Sequence, residues 1–163
     1  MSEPADWLRV AGRGMLEDGG AVRWSVAEGT RGRRWRWTVI DGGIVRHAGL
    51  VEIDVDGRLT RFELASADGM LTLHPSADRS ELHGNVVAGD GVRPLAFPAD
   101  ETTDIAIESD GFGTSLLGAG EGTCLWIRAG LAIDFGRPRP PRLDLDYRGV
   151  PQLEAGAEWP LEV

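Results

Sequence analysis

The sequence predicts a mainly β fold: one curved antiparallel sheet in a single domain. Three observations carry this. Glycine-rich turn signals ("DGG", "DGR", "ADGM", "GDGV", "SDGFG") recur between short apolar segments. Apolar and polar residues alternate within those segments, and no segment holds a long helical period. The 163 residues are 42% hydrophobic, which suits one packed core rather than disorder. No internal repeat or domain boundary stands out.

The elements follow in order. Strands are predicted at 21–26 and 34–40. The stretch "GLVEIDVDGRLTRFELASADGMLTLHP" predicts a three-strand meander. A two-residue turn at Asp56-Gly57 sets Val51 opposite Phe62, Ile53 opposite Thr60, and Glu52 opposite Arg61. One face is then apolar and the other gains an opposite-charge pair. A turn at Asp68-Gly69 sets Leu64 opposite Leu73, Ser66 opposite Leu71 and Glu63 opposite His74. Val51, Ile53, Phe62, Leu64, Leu71 and Leu73 share the buried side. Further strands are predicted at 82–87, 104–108, 123–129 and 142–148. "FGTSLLGAG" at 112–120 predicts one short helix capped by Thr114 or Ser115. "GRPRPPRL" at 136–143 is a proline-rich connector that a sheet interior excludes.

The segment "RGRRWRWTVI" at 31–40 packs four arginines and two tryptophans into ten residues. On a strand, Trp35, Trp37 and Val39 share one face, and Arg34, Arg36 and Thr38 the other. Three readings are open. The tryptophans join the core while the arginines pair with carboxylates; either face lines a site for an amphiphile; or the segment grips single-stranded nucleic acid. The formal net charge of −9 weighs against the third, because a phosphate-backbone binder needs a basic footprint. No nucleic-acid partner is therefore expected. Every basic side chain is arginine.

Cys124 is the one cysteine, which fits a reducing compartment. The N-terminus lacks the basic and apolar regions of a signal peptide, and no apolar run reaches the length of a membrane span. A cytoplasmic protein without an integral membrane segment is expected.

Catalytic motifs are absent: no G-x-S-x-G, H-E-x-x-H or C-x-x-C. "DVDG" at 54–57 lacks the further ligands of a calcium loop, and a hairpin turn explains it better. The glycines of "GFGTSLLG" have the wrong spacing for a dinucleotide fingerprint. His47, His74 and His83 could approach one another with Glu63 or Glu81, but nothing in their spacing requires a metal. Asp104, Glu108 and Asp110 alternate as a solvated strand face would. No cofactor and no metal are expected.

The order of elements resembles the glycolipid-binding family of bacterial proteins with a spiral β-roll fold. "VRWSV" and "RRWRWTV" resemble its first two strands, and "LTLHP" and "NVVAGDGVRPL" follow in its order. "DIAIESDGFGTSLLGAG" resembles its signature D-V-D-L, spacer, T-P-F-T-N-T-L-P, with Asp104, Ile105, Ile107, Phe112, Ser115 and Leu116 at matching positions. Ala106 replaces the second aspartate, Asp110-Gly111 the T-P, and Thr114 the asparagine. Gly118 and Ala119 stand where arginines follow. "LDLDYRGV" resembles the late strand with its tyrosine, Tyr147. The resemblance covers roughly residues 10–150. It implies a long sheet wrapped around one short helix, a homodimer, and a lipid-like or glycolipid ligand.

The expected function is non-enzymatic binding of an amphiphile inside the curved sheet. Trp24, Trp35 and Trp37 would supply apolar wall. Arg34 and Arg36 would meet an anionic or sugar headgroup, and Asp104 and Phe112 would shape the segment entering the roll. Two rivals remain: a small enzyme using His47, His74, Glu63 and Asp104 in one cleft, and a structural dimer module without a ligand.

Overall fold

The computed structural model describes residues 9–15, 20–99, 104–109, 112–115, 124–128 and 158–160. Eight strands follow one another as an antiparallel meander: β1 (Arg9–Met15), β2 (Ala21–Gly29), β3 (Gly32–Asp41), β4 (Ile44–Ile53), β5 (Leu59–Ser66), β6 (Gly69–Pro75), β7 (Glu81–Ala88) and β8 (Gly91–Pro98). A short β12 (Glu158–Pro160) pairs with the other side of β1, so the open sheet runs from β12 at one edge to β8 at the other. A second sheet has the order β10-β9-β11, from β9 (Asp104–Ser109), β10 (Phe112–Ser115) and β11 (Cys124–Arg128), with β11 parallel to β9. No helix occurs among the described residues.

Alternation along each strand sorts the side chains onto two faces. Val22, Trp24, Trp37, Val39, Val51, Phe62 and Leu73 lie on the buried face, and Ile105 of the second sheet belongs to the same apolar cluster. Each such side chain stabilises the fold by roughly 1.5–3 kcal/mol through removal of apolar area from water. The β3–β4 hairpin turns on Gly42 and Gly43, both at positive φ (54° and 81°). Two successive positive φ values match the twist of a tight hairpin, and glycine reaches them without steric cost.

The meander follows the predicted pattern with two differences of register. Val51 pairs with Phe62 and Glu52 with Arg61, as the sequence predicts. Beyond them the ladder shifts, and Ile53 pairs with Leu59 instead of Thr60. The connection is a longer loop because the Asp54 carboxylate accepts the backbone N–H of Asp56 (3.0 Å) and Arg58 (2.9 Å), which a two-residue turn would not allow. In the next hairpin the turn lies at Ala67-Asp68. Leu64 therefore pairs with Leu71, Phe62 with Leu73, and Glu63 with Thr72 rather than His74. A slip of two residues leaves every side chain on its face, so the same apolar set stays inside.

Other elements differ more. Phe112–Ser115 is a strand, not the start of a helix, and Thr114 pairs with Ile107 of β9. Gly113 and the β-branched Thr114 both disfavour a helix, and the neighbouring strand supplies backbone partners. Residues 116–120 lie outside the described residues, as do the predicted strand 142–148 and the connector 136–143. Strands β1 and β8 were not predicted. β8 carries Pro94 and Pro98, which a central strand would reject, and it tolerates them as an edge strand.

Candidate functional site

The β2–β3 hairpin brings the three candidate tryptophans together. Trp24 pairs directly with Trp37, and Trp35 pairs with Val26 on one side and Val51 on the other. Trp24 and Trp37 are buried, and Trp35 is half-buried further along the same face. The Trp37 ring lies 6.5 Å from that of Phe62, tilted by 42°, a favourable aromatic arrangement.

The polar atoms on this apolar face are few. His47 is 2% exposed, and its Nδ1 accepts a long hydrogen bond of 3.4 Å from Trp37 Nε1. Trp24 Nε1 is buried and has no hydrogen-bond partner. Arg33 Nε is in the same condition. An unmade buried hydrogen bond costs about 1–3 kcal/mol, so each such donor calls for an explanation.

Arg33 is the residue that the sequence reading missed. It shares the face of Trp35 and Trp37 because it lies two and four positions before them. Its guanidinium stacks on Trp35, 5.5 Å from the ring centroid, and one of its terminal nitrogens meets Glu28 at 3.2 Å. The cross-strand register aligns Arg33 with Glu28, so this ion pair closes one end of the tryptophan strip. The period-two pattern of "RRWRW" carried that signal already.

Comparison with known proteins returns no match. No protein-family model, no curated protein and no solved structure resembles the chain closely enough to inform its function.

The remaining candidates divide between the faces. Arg34 and Arg36 project from the side opposite the tryptophans, and both are exposed. Arg34 is engaged by Glu52 across the strand pair. The two arginines therefore do not join the tryptophans in one site. The side chains of Asp104 and Phe112 lie outside the described residues, although their backbones occupy β9 and β10.

The histidine–carboxylate set does not assemble either. His47 faces the core, whereas Glu63 pairs with Arg61 on the opposite side and His74 is exposed there. His74 and His83 do face each other across β6 and β7. Among the described residues, no group of three or more His, Cys, Asp or Glu side chains could hold a metal ion. The "DVDG" aspartate is fully used. Asp54 Oδ1 takes two backbone N–H groups, and Oδ2 accepts from Arg79 at 2.7 Å.

Proposed function

We propose that the protein binds an amphiphilic, lipid-like molecule along the inner face of the β2–β3 hairpin, without catalysing a reaction on it. One observation carries the reading. The buried side-chain nitrogens without partners among the described residues, Trp24 Nε1 and Arg33 Nε, both belong to this hairpin face. Between their positions lie Val26 and Trp35, a strip of apolar surface. From Arg33 to Trp37 the strand advances about 13 Å, on the scale of a short acyl chain.

The ligand's apolar body would lie against Val26, Trp35 and Trp37. Its polar end would meet Arg33, whose planar fork suits a carboxylate, phosphate or sugar hydroxyl. Glu28 would hold that fork in place. This assignment moves the headgroup role from Arg34 and Arg36 to Arg33. A meander that curls as a spiral β-roll, paired with a second copy in the cytoplasm, completes the proposal.

The test is mass spectrometry of an organic extract from protein purified without detergent, beside a mock purification. A stoichiometric amphiphile, reduced in the Arg33→Gln variant, is the expected result. A clean extract, together with unchanged tryptophan fluorescence when fatty acids are added, would overturn the reading.

A further inference from the structure

The face opposite the tryptophans has an unusual charge distribution for so acidic a chain. On β1, β2 and β3 this face carries Arg9, Arg13, Arg23, Arg34 and Arg36, and all five are exposed. Ala11, Ser25, Ala27 and Thr38 lie between them, with Ile40 toward the far end of β3. No aspartate or glutamate lies on this face of the three strands, although the chain holds 26 acidic residues and a net charge of −9. The nearest carboxylate across the ladder is Glu52 on β4, and Arg34 occupies it.

The register concentrates the charge. Arg13 and Arg23 are direct cross-strand partners. Arg23 opposes Thr38 and Arg36 opposes Ser25, so Arg23 and Arg36 are diagonal neighbours, about 7–8 Å apart at their backbones. Arg23 and Arg36 repel each other at this spacing, and an anion docked beside them would offset that repulsion. Arg23 and Arg36 have no carboxylate partner among the described residues. By contrast, Arg33, Arg34, Arg61 and Arg79 all form ion pairs.

We propose that this outer face of β1–β3 docks on the anionic surface of a phospholipid bilayer. The shape and composition of the face favour that partner. Within β1–β3 it is an arginine-bearing sheet face whose central side chains are short and include no aromatic residue. Among the described residues, the single aromatic at its border, Trp159 of β12, which pairs with Ala11, is not a platform for successive bases. Nor does it offer the central aromatic anchor on which a protein interface of high affinity usually depends. Beyond roughly 8 Å at physiological salt, the acidic remainder of the molecule is screened from the bilayer, so the local patch decides the interaction. Charge asymmetry then orients the protein with β1–β3 toward the membrane. The inference does not depend on the amphiphile reading, because it uses the opposite face of the sheet.

The experiment is co-sedimentation of the full chain with vesicles of phosphatidylcholine alone and of phosphatidylcholine mixed with phosphatidylglycerol. The protein is expected to follow the mixed vesicles at low salt and to be released as salt rises. Arg23→Gln and Arg36→Gln should each weaken binding about fivefold. Arg93→Gln on β8 should leave it unchanged. The variants remove exposed side chains, and circular dichroism would confirm that each stays folded. Equal recovery with both vesicle types, or a double Arg23→Gln, Arg36→Gln variant that binds like the parent, would overturn the proposal. So would tighter binding to a labelled single-stranded oligonucleotide than to the mixed vesicles.

Discussion

The indole of Trp37 occupies the space that a side chain at position 49 would need. A Cβ placed on Gly49 would stand 2.1 Å from Cζ2 of Trp37, its direct partner across the β3–β4 ladder. The glycine thus lets the large ring lie flat over the neighbouring strand, where its Nε1 reaches His47. Gly49→Ala should destabilise the protein by about 1–3 kcal/mol, the usual cost of overpacking. Urea denaturation measures this, and an unchanged midpoint would show that Trp37 moves aside freely.

The two central tryptophans should respond differently to loss of their indole N–H. Trp37→Phe removes a hydrogen bond to a buried imidazole, whereas Trp24→Phe removes a donor that has no partner. The first variant should lose about 1 kcal/mol more stability than the second. Denaturant titration of both, side by side, checks the order. Equal losses would mean that the contact between Trp37 and His47 contributes little.

Ligand retention should separate Arg33 from Arg34. Arg33→Gln keeps the size of the side chain but loses the charge that faces the tryptophan strip, so less amphiphile should co-purify. Arg34→Gln alters only the outer face, where Arg34 meets Glu52. An exposed pair of this kind contributes about 0–1 kcal/mol, so fold and ligand content should persist. Quantitative extraction of both variants decides the matter. Loss of ligand in Arg34→Gln alone would reverse the assignment of faces.

The loops at one end of the sheet predict an acid-sensitive stability. Burial raises the Asp54 pKa, but N–H groups of Arg58 and Asp56 and the charges of Arg79 and Arg58 outweigh it, so the net shift is downward. Asp78 is held at about 2 by the hydroxyls of Ser76 and Ser80 and by the Ser80 N–H. A carboxylate with a lowered folded pKa stabilises the fold above its unfolded pKa of about 3.9, and loses that contribution as pH falls through the folded value. Thermal midpoints should therefore drop between about pH 4 and pH 2, beyond the loss from general acid expansion. In Asp78→Asn the drop should be shallower, and a curve parallel to that of the parent would remove Asp78 as a cause. Arg79 links the two loops: it adopts φ 61°, unusual outside glycine, while its guanidinium bonds Asp54 (2.7 Å) and the Leu59 carbonyl (3.2 Å).

The β8 edge should resist strand addition because of its prolines. Pro94 and Pro98 lack backbone donors, and they share the parity of Val92 and Ala96 along the strand. Val92 is 65% exposed and forms one cross-strand row with Val87 and Met70, so apolar surface adjoins this edge. Replacing both prolines with valine should promote self-association, measured by light scattering at rising concentration. An unchanged particle size would show that another feature protects the edge.

Local pattern determined much of this molecule. The alternation of "VEIDV" and "RFELA" assigned Val51, Phe62 and Leu64 to the inside, and the period of two preserved that assignment through a register slip. The same period separated Trp35 and Trp37 from Arg34 and Arg36, and it placed Arg33 with the tryptophans. Tertiary structure decided what local pattern leaves open. A short segment such as "FGTS" can be helix or strand, and only the neighbouring β9, with backbone groups to pair, made it β10. The length of the Asp54–Arg58 loop followed from carboxylate hydrogen bonds, one of them to Arg79, 25 residues away. The partnerless indole of Trp24 and the arginine-covered face of β1–β3 depend on which strands become neighbours. Such features arise from pairing across the sheet, where residues distant in sequence compete for the same space and the same hydrogen bonds.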